Sequence, residues 1–533
     1  MKRNRLFLFA ALLPALSVMQ AQTSYEAVEL LGSDLNGTAR YVGMGGAMSA
    51  LGADISTMAT NPAGTALYRS WDMSMSASAN SVTNNTLPWG NRSFTSYGSF
   101  DNLGIVMANK MSNEDIVRFV NFGVNYRNVK RFGNKMGMSS YLNGLSQTGQ
   151  MAWQAWENYD YINYTYFDPN SSNNLYDKNY FRNERYGWLT LLGGYADLMG
   201  LYACEDDNGN IMHDENGYVI EDYWYRASDN NSNSYTEYVT GGINAYDFNL
   251  SVNLIDMVYF GITFTTYSVD RNMTSSYAEY FIDGEYILDN YYTTKGTGYD
   301  FKFGAIIRPI EGSSFRVGVS ATTPTVYRLR DYNSAVISSN FDYGDIFTLD
   351  TQSDDAFGGD CYTDYTMIAP ARINASLGGT IGTSLALGAE YEYANYGAAK
   401  LFYSNGDINQ TMNDHTAANF TGQHTLRVGA EKMFAGSFYA RAGYNFQTGG
   451  YKHDAWKMIP VNSVQTNTAY RNISTTNTGT LGIGYRGDVF YADASLLYSL
   501  QSSNFYPFDD PELPATLVSR NLWKGTVTVG LRF

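Results

Sequence analysis

Residues 521–533 read NLWKGTVTVGLRF. Trp523, Val527, Val529, Leu531 and Phe533 fall on one side of an extended chain, and Lys524, Thr526, Thr528 and Arg532 on the other, because successive side chains of a strand point to opposite faces. One face suits hydrocarbon and the other suits water. A half-buried strand of a soluble sheet alternates too, so one copy decides nothing. The number of copies, and what joins them, decides.

The pattern recurs along the chain. Phe490, Ala492, Ala494, Leu496 and Tyr498 oppose Tyr491, Asp493 and Ser495. Phe438, Ala440, Ala442 and Tyr444 oppose Tyr439, Arg441 and Gly443, and Leu426, Val428 and Ala430 oppose Arg427, Gly429 and Glu431. Leu387, Ala389 and Tyr391 oppose Gly388, Glu390 and Glu392, and Phe301, Phe303, Ala305 and Ile307 oppose Lys302, Gly304 and Arg308. Each apolar set ends near Tyr, Phe or Trp, as the interface girdles of a membrane barrel require. Strands are expected near 71–80, 97–109, 117–129, 243–254, 258–270, 298–309, 313–330, 369–381, 384–396, 423–434, 437–447, 476–486, 489–501 and 520–533, about fourteen, an even number.

The joints alternate strictly. Short ones fall at 110–116, Ile255-Asp256-Met257, Ile310-Glu311-Gly312, Gly382-Thr383, Ala435-Gly436 and Gly487-Asp488. Between them come long polar joints near 81–96, 130–242, 271–297, 331–368, 397–422, 448–475 and 502–519. Short periplasmic turns and long extracellular loops produce this sorting. The fold class expected is all-β: a transmembrane antiparallel β-barrel of about fourteen strands, its ends in the periplasm. The joint over 130–242 is too long for a bare connection. Within it Gln147 to Tyr161 suits a short helix carrying Trp153 and Trp156 on one side, either to greet a greasy ligand or to pack the loop's own core.

Composition agrees. Only 16% of residues are charged, against about 25% in an ordinary soluble domain, while 15% are aromatic and Tyr numbers 46. The net charge of −16 argues against nucleic acid, which needs a basic footprint. Met1 to Gln22 reads as a secretory signal, with Lys2, Arg3 and Arg5, an apolar run from Leu6 to Val18, and cleavage after Ala21. No later run approaches the ~20 apolar residues of a membrane helix. Cys204 and Cys361 lie far apart, and an exported location permits a disulfide that spacing alone does not decide. Asp206-Asp207-Asn208-Gly209 and Asp214-Glu215-Asn216-Gly217 lack the full ligand series of a calcium loop and read better as Asn-Gly turns. No cofactor or metal is expected.

Between the signal and the first strand lies Arg40 to Ser70, RYVGMGGAMSALGADISTMATNPAGTALYRS. So few bulky side chains leave little to offset about 1–2 kcal/mol of backbone entropy per residue. The segment is either a mobile linker or a plug ordered by walls supplied elsewhere. Gly43-Met44-Gly45-Gly46 lacks the third glycine and the strand–helix context of a dinucleotide loop. The domains expected are a signal over 1–21, a plug over 22–70 and a barrel over 71–533.

At Asn61-Pro62-Ala63-Gly64, after Gly45-Gly46-Ala47 and Ala53-Asp54, the chain resembles the FadL-type long-chain fatty acid transporters, which include outer-membrane channels for aromatic hydrocarbons. Thr480 to Arg486, and Leu426 to Glu431 followed by Ala440 to Tyr444, are similar to that family's late strands. The resemblance implies a monomer in the outer membrane of a Gram-negative bacterium, in contact with lipid and lipopolysaccharide. It implies passive uptake of hydrophobic small molecules, with capture by outer loops, binding in the lumen, and lateral release beside a kinked third strand. On it, Asn61, Pro62, Ala63 and Gly64 are plug residues. Gly123 is either the kink, since glycine in a strand often marks one, or simply room for the plug. Arg427 and Arg441 are candidates for a ligand carboxylate, or static partners of Glu431 and Asp493.

Two other readings stay open. A haemin receptor would offer an axial His or Tyr from a loop, and His213, His415 and His453 fall in expected loops. A structural or adhesive barrel would need no plug. An enzyme is not expected: only these three and His424 supply imidazole, and no nucleophile elbow appears.

Overall fold

A computed structural model describes residues 22–87, 91–111, 116–157, 178–182, 186–206, 208–213, 221–342 and 344–533. The expected signal over 1–21, and Asp207 and Asp214 to Gly217, lie outside the described residues. Fourteen antiparallel strands form one closed barrel. They are β1 Asp72–Leu87, β2 Arg92–Lys110, β3 Val117–Arg131 continuing as Asn134–Tyr141, β4 Ser232–Leu254, β5 Val258–Phe281, β6 Gly284–Ile307 and β7 Arg316–Thr322 continuing as Thr325–Phe341. Then come β8 Cys361–Ala369 continuing as Arg372–Ile381, β9 Leu385–Asn395, β10 Gly422–Phe434, β11 Phe438–Thr448, β12 Tyr470–Arg486, β13 Phe490–Tyr506 and β14 Thr516–Arg532. The seam is β1 on β14, from Asp72 opposite Arg532 to Leu87 opposite Leu517. At the short-turn end Trp71 N donates to Phe533 O at 2.8 Å, so the wall begins and ends at the same rim.

Every expected strand is present, but several run much further than expected. The supposed loop over 271–297 is mostly sheet: β5 and β6 each hold 24 residues and meet at a tight hairpin at Ile282-Asp283. A membrane strand needs only about 9–11 residues. Likewise β7 continues to Phe341 and β8 starts at Cys361, which shortens the joint expected over 331–368.

The extra length has a physical cause, legible on β5. Outward at the short-turn end stand Phe260, Ile262 and Phe264, with Gly261, Thr263 and Thr265 inward. Further along, the outward positions are Ser268, Asp270, Asn272 and Thr274, while Tyr267, Val269, Met273 and Tyr277 point inward and are buried. The strand keeps its period of two but exchanges its faces. On β6, Ile307, Phe303 and Phe301 give way outward to Thr297, Lys295 and Thr293, with Tyr292, Leu288 and Tyr286 buried inside. The lower ring is therefore a membrane barrel, greasy outside and polar within. The upper part of β4–β8 is a water-soluble barrel with an apolar interior. Paired aromatics stand on the outer face of the wall, Tyr498 tilted against Trp523 at 4.6 Å and Phe100 stacked on Tyr126 at 5.7 Å.

Two bodies fill the upper interior. Helices α3 Gln147–Glu157 and α4 Trp188–Tyr195 from the long joint bury Met151, Trp188, Leu191 and Leu192 against Tyr277, Tyr286, Leu288 and Ile337 of the wall. Helix α1, Ser24–Glu29, buries Tyr25, Ala27 and Val28 with Leu30 and Leu31 against Tyr267, Val269, Tyr292 and Tyr327. Cys204 and Cys361 are both free, so the permitted disulfide does not form. Among the described residues no helix is long and apolar enough to cross a membrane.

Candidate functional site

Residues 38–68 lie inside the lower ring. Their bonds run to strands around the whole wall: Ala39 N donates to Thr528 Oγ1 at 2.7 Å, Thr480 Oγ1 to Gly43 O at 3.1 Å, Ser320 Oγ to Thr60 O at 2.6 Å, and Asn121 Nδ2 to Thr65 O at 2.8 Å. This is how a segment whose regular structure is limited to the short helix α2, Ala39–Gly43, and two 3-10 turns satisfies its backbone while buried. Short caps hold its local shape. Asp54 accepts from Ser56 N and from Thr38 Oγ1, and Asn61 Oδ1 accepts from Ala63 N at 3.1 Å with Pro62 opening the turn after it.

The wall makes room for this segment with glycine. At the level of the plug, the inward position is glycine on strand after strand. A methyl on Gly261 would stand 2.3 Å from Pro62 C, one on Gly304 2.1 Å from Asn61 Oδ1, and one on Gly388 2.1 Å from Ala47 O. One on Gly429 would stand 2.3 Å from Met44 O, and one on Gly443 2.2 Å from Gly45 N. Gly388, Gly429 and Gly443 pair side by side across three adjacent strands, and Gly261 pairs with Gly304. The fit is mutual at Gly45, whose φ of +63° favours glycine and whose missing methyl would meet Tyr444 N at 2.8 Å. Asn61, Pro62, Ala63 and Gly64 thus sit where the glycines of β5, β6 and β7 admit them, and Asn61 Nδ2 reaches Ala305 O and Val319 O at 3.3 and 3.4 Å. Gly123 belongs to the same girdle: Met58 Cε occupies its inner face, 2.1 Å from where a methyl would be. The register of β3 runs unbroken through it, and the irregularities fall instead at Val117/Phe119 and Asn128/Lys130.

Charge fixes the plug laterally. Glu431 accepts from Arg40 of the plug, at 2.9 Å from both Nε and Nη2, and from Arg441 Nε at 2.6 Å, while Arg441 Nη1 reaches Asp493 at 2.7 Å. Arg427 lies 2.5 Å from Glu390 and 3.2 Å from Glu392. Both arginines are buried and engaged with carboxylates of the chain itself. Arg441 takes both partners named from the sequence, and Arg427 takes two others. Buried pairs of this kind fix a geometry more surely than they add stability.

Above the plug, α1 sits in an aromatic chamber. The Tyr25 ring lies 5.1 Å from Phe420 and 5.3 Å from Tyr470, and its hydroxyl donates to Asn472 at 2.8 Å. Lys457 Nζ donates to Glu26 at 2.6 Å. Ser24 Oγ lies 2.7 Å from His415 Nδ1 on helix α5, Gln410–Asn419. Burial pushes the His415 imidazole down to about 4, so it is neutral at ordinary pH. His213 and His453 are exposed and bond Ile211 O and Asp454, and His424 bonds the Tyr391 hydroxyl on the outer face.

Beside the chamber the wall parts. β2 and β3 pair only from Lys110 opposite Phe119 up to Asn102 opposite Arg127. Beyond that, β2 pairs with β1 alone. The continuation of β3 leans inward behind it, where Asn84 Nδ2 of β1 donates to Lys135 O at 2.6 Å and Thr86 Oγ1 to Gly137 O at 3.1 Å. Three polar cavities, of about 60, 170 and 80 Å³, surround the Ser33-Asp34 turn between α1 and the plug, and the last reaches Tyr97 and Ser99 at the parting. Trp153 and Trp156 stand on the outer side of α3, 43% and 46% exposed, with Trp156 edge-on to Tyr223 at 6.4 Å. Arg40 and the girdle as a unit were missed from the sequence, and Asp54 and His415 were named there only within the motif and as a candidate haemin ligand. The inward glycines of successive strands were the available signal.

No family model and no curated relative matches the sequence. Solved structures do. A FadL homologue of Pseudomonas aeruginosa is 10% identical, with 94% of this chain and 99% of that chain covered and a TM-score of 0.50. A deltaS2 mutant of the monoaromatic hydrocarbon channel TodX is 10% identical over 94% of this chain and all (100%) of that one, also at 0.50. The Pseudomonas putida toluene transporter TodX gives 11%, 94%, 99% and 0.46. At these identities the likeness concerns architecture. The chain is a FadL-type barrel by fold, fourteen strands closed around their own N-terminal segment.

Proposed function

We propose that this chain is a passive channel of the Gram-negative outer membrane that admits hydrophobic small molecules of the long-chain fatty acid type. Residues 1–21 serve export, 22–70 act as the hatch, and the barrel works as a monomer among outer-membrane lipid and lipopolysaccharide. The short-turn rim faces the periplasm. Loop aromatics, Trp153 and Trp156 among them, catch the ligand. It then exchanges with α1 for the aromatic chamber and leaves sideways where β2 and β3 part.

One observation carries the reading. A short helix of the chain, with Tyr25, Ala27, Val28, Leu30 and Leu31 of its segment buried, occupies a chamber rich in Tyr and Phe directly above a plug hydrogen-bonded to several sides of the wall. A ligand that takes the place of α1 recovers roughly 25 cal/mol for each Å² of apolar surface it buries there. A fixed plug leaves the parting as the path of least rearrangement. The neighbour of like fold named as a hydrocarbon channel supports an apolar cargo.

Uptake of labelled oleate and toluene by cells lacking their own importer tests this. Expression of the chain should raise the uptake of at least one of them, and removal of Ser24–Leu31 should abolish the saturable part. Identical uptake with and without the chain would sink the proposal.

A further inference from the structure

The roomiest of these three cavities, about 170 Å³, is charged in a way that an apolar cargo does not explain. Five cations line it, Lys130, Arg131, Arg271, Arg471 and Arg520, against the carboxylates Glu29, Asp34 and Glu237. Two of the carboxylates are taken: Glu29 by Arg271 at 2.5 Å and Glu237 by Arg471 at 3.2 Å. Lys130 Nζ bonds the Glu29 carbonyl, and Asp34 accepts from the Arg131 backbone N at 2.9 Å. Among the described residues neither Arg131 nor Arg520 has an ion-pair partner. Both also line the adjoining cavity that opens at Tyr97, together with Gln447, Thr476 and Gln501.

A second observation points the same way. Arg271 is 3% exposed, yet its Nε and Nη1 have no acceptor, and the buried Nε of Arg471 has none either. Buried donors without acceptors are costly, and this chain carries a net charge of −16, so spare cations gathered in its interior are against its general bias. Forked guanidiniums answer to an oxyanion with several acceptor oxygens, and phosphate suits them best.

We propose that this cavity binds a phosphate monoester group, with Arg131 and Arg520 as its principal ligands and Gln501, Thr476 and Gln447 as neutral donors. The group arrives as the head of an amphiphile, from the lumen or from a lipid at the parting of β2 and β3, or as a small soluble phosphate. The inference rests on the transport reading only for the route, since the site itself is a matter of binding.

Calorimetry on the full chain in a neutral detergent, with dodecyl phosphate, dodecanoate, dodecanol and inorganic phosphate, tests it. Dodecyl phosphate should bind on the order of tenfold tighter than dodecanoate or dodecanol. The Arg131→Gln/Arg520→Gln variant should lose that preference while still binding the alcohol, which shows that the barrel is folded. Competition by inorganic phosphate marks the bare group as sufficient. Its failure to compete marks an amphiphile head. Equal binding of the three dodecyl compounds, or a preference unchanged in the double variant, would overturn the inference and leave the transport reading standing. Phosphate preference without uptake of oleate or toluene would do the reverse.

Discussion

Phe303 and Thr293 lie on the same strand and the same outward face, ten residues apart. Around Phe303 the neighbours are Phe301 and Ile307, with Lys302 and Gly304 behind; around Thr293 they are Lys295 and Tyr291, with Tyr292 and Thr294 behind. The lower region puts water-seeking groups inside because its solvent is lipid. The upper region puts them outside because its solvent is water. One unbroken ladder serves both, so backbone pairing sets the cylinder, and side chains alone state which medium surrounds it. The two regions also hold their contents differently. Below, the plug meets bare backbone at glycine and is tied by charge and hydrogen bonds. Above, α1 and the loop helices are held by aromatic packing.

The contrast is open to experiment. The greatest loss is expected from Arg441→Met, which leaves Glu431 with Arg40 alone and Asp493 with only Arg486 at 3.4 Å; removing one partner of a buried pair costs about 3–5 kcal/mol. Urea titration of the purified barrel, and a rise in bilayer conductance as the plug loosens, would register it. Next, Phe303→Arg on the lipid face should cost about 2–4 kcal/mol when folded into bilayers, whereas Thr293→Arg should stay within about 0.5 kcal/mol. Equal costs for the two would erase the boundary drawn between the regions.

The upper packing should respond to acid. The folded His415 is held down near 4, below its ordinary 6.5, so the unfolded chain takes up the proton first as pH falls. Stability tied to this group is complete above 6.5 and drains away between 6.5 and 4, by no more than about 3 kcal/mol. Hydrogen exchange of residues 22–31 should quicken over that window, and His415→Asn should flatten the profile. A smaller effect, about 1–3 kcal/mol, is expected for Gly388→Ala, whose methyl meets the Ala47 carbonyl. The outward Gly525, with nothing within 4 Å, should accept alanine with no measurable change in urea midpoint.

The lower region was the readable one. Its fourteen strands announce themselves because lipid demands an apolar residue at every second place, and sequences such as Leu426 to Glu431 meet that demand without exception. The upper strands alternate as well, but Ser268, Asp270 and Asn272 on the water side look like a polar loop to anyone seeking a lipid face. That is why 271–297 read as a connection. The plug motif at Asn61 to Gly64 was visible, as was the static option for Arg441. Gly123 stayed open between a kink and room for the plug, because a glycine that bends a strand and a glycine that admits Met58 are the same letter. Asp34, Arg131 and Arg520 come together only through the closure of the wall, which no local pattern encodes.

The seam between β1 and β14 dictates an order of assembly. The plug is synthesised before any of the wall that will enclose it, and its caps and turns are too weak to persist alone. Once Asp72 to Leu87 has zipped against Leu517 to Arg532, no break remains in the ladders of the lower ring through which thirty residues could be threaded, since the parting of β2 and β3 lies above it. The wall must therefore curl around a segment it already touches, and the last hydrogen bonds to form join residues separated by nearly the whole polypeptide, the slowest kind of contact to find. Until that moment both terminal strands present bare edges, ready to pair with the wrong neighbour. Safe passage of this protein into its membrane depends on those two edges being shielded to the end.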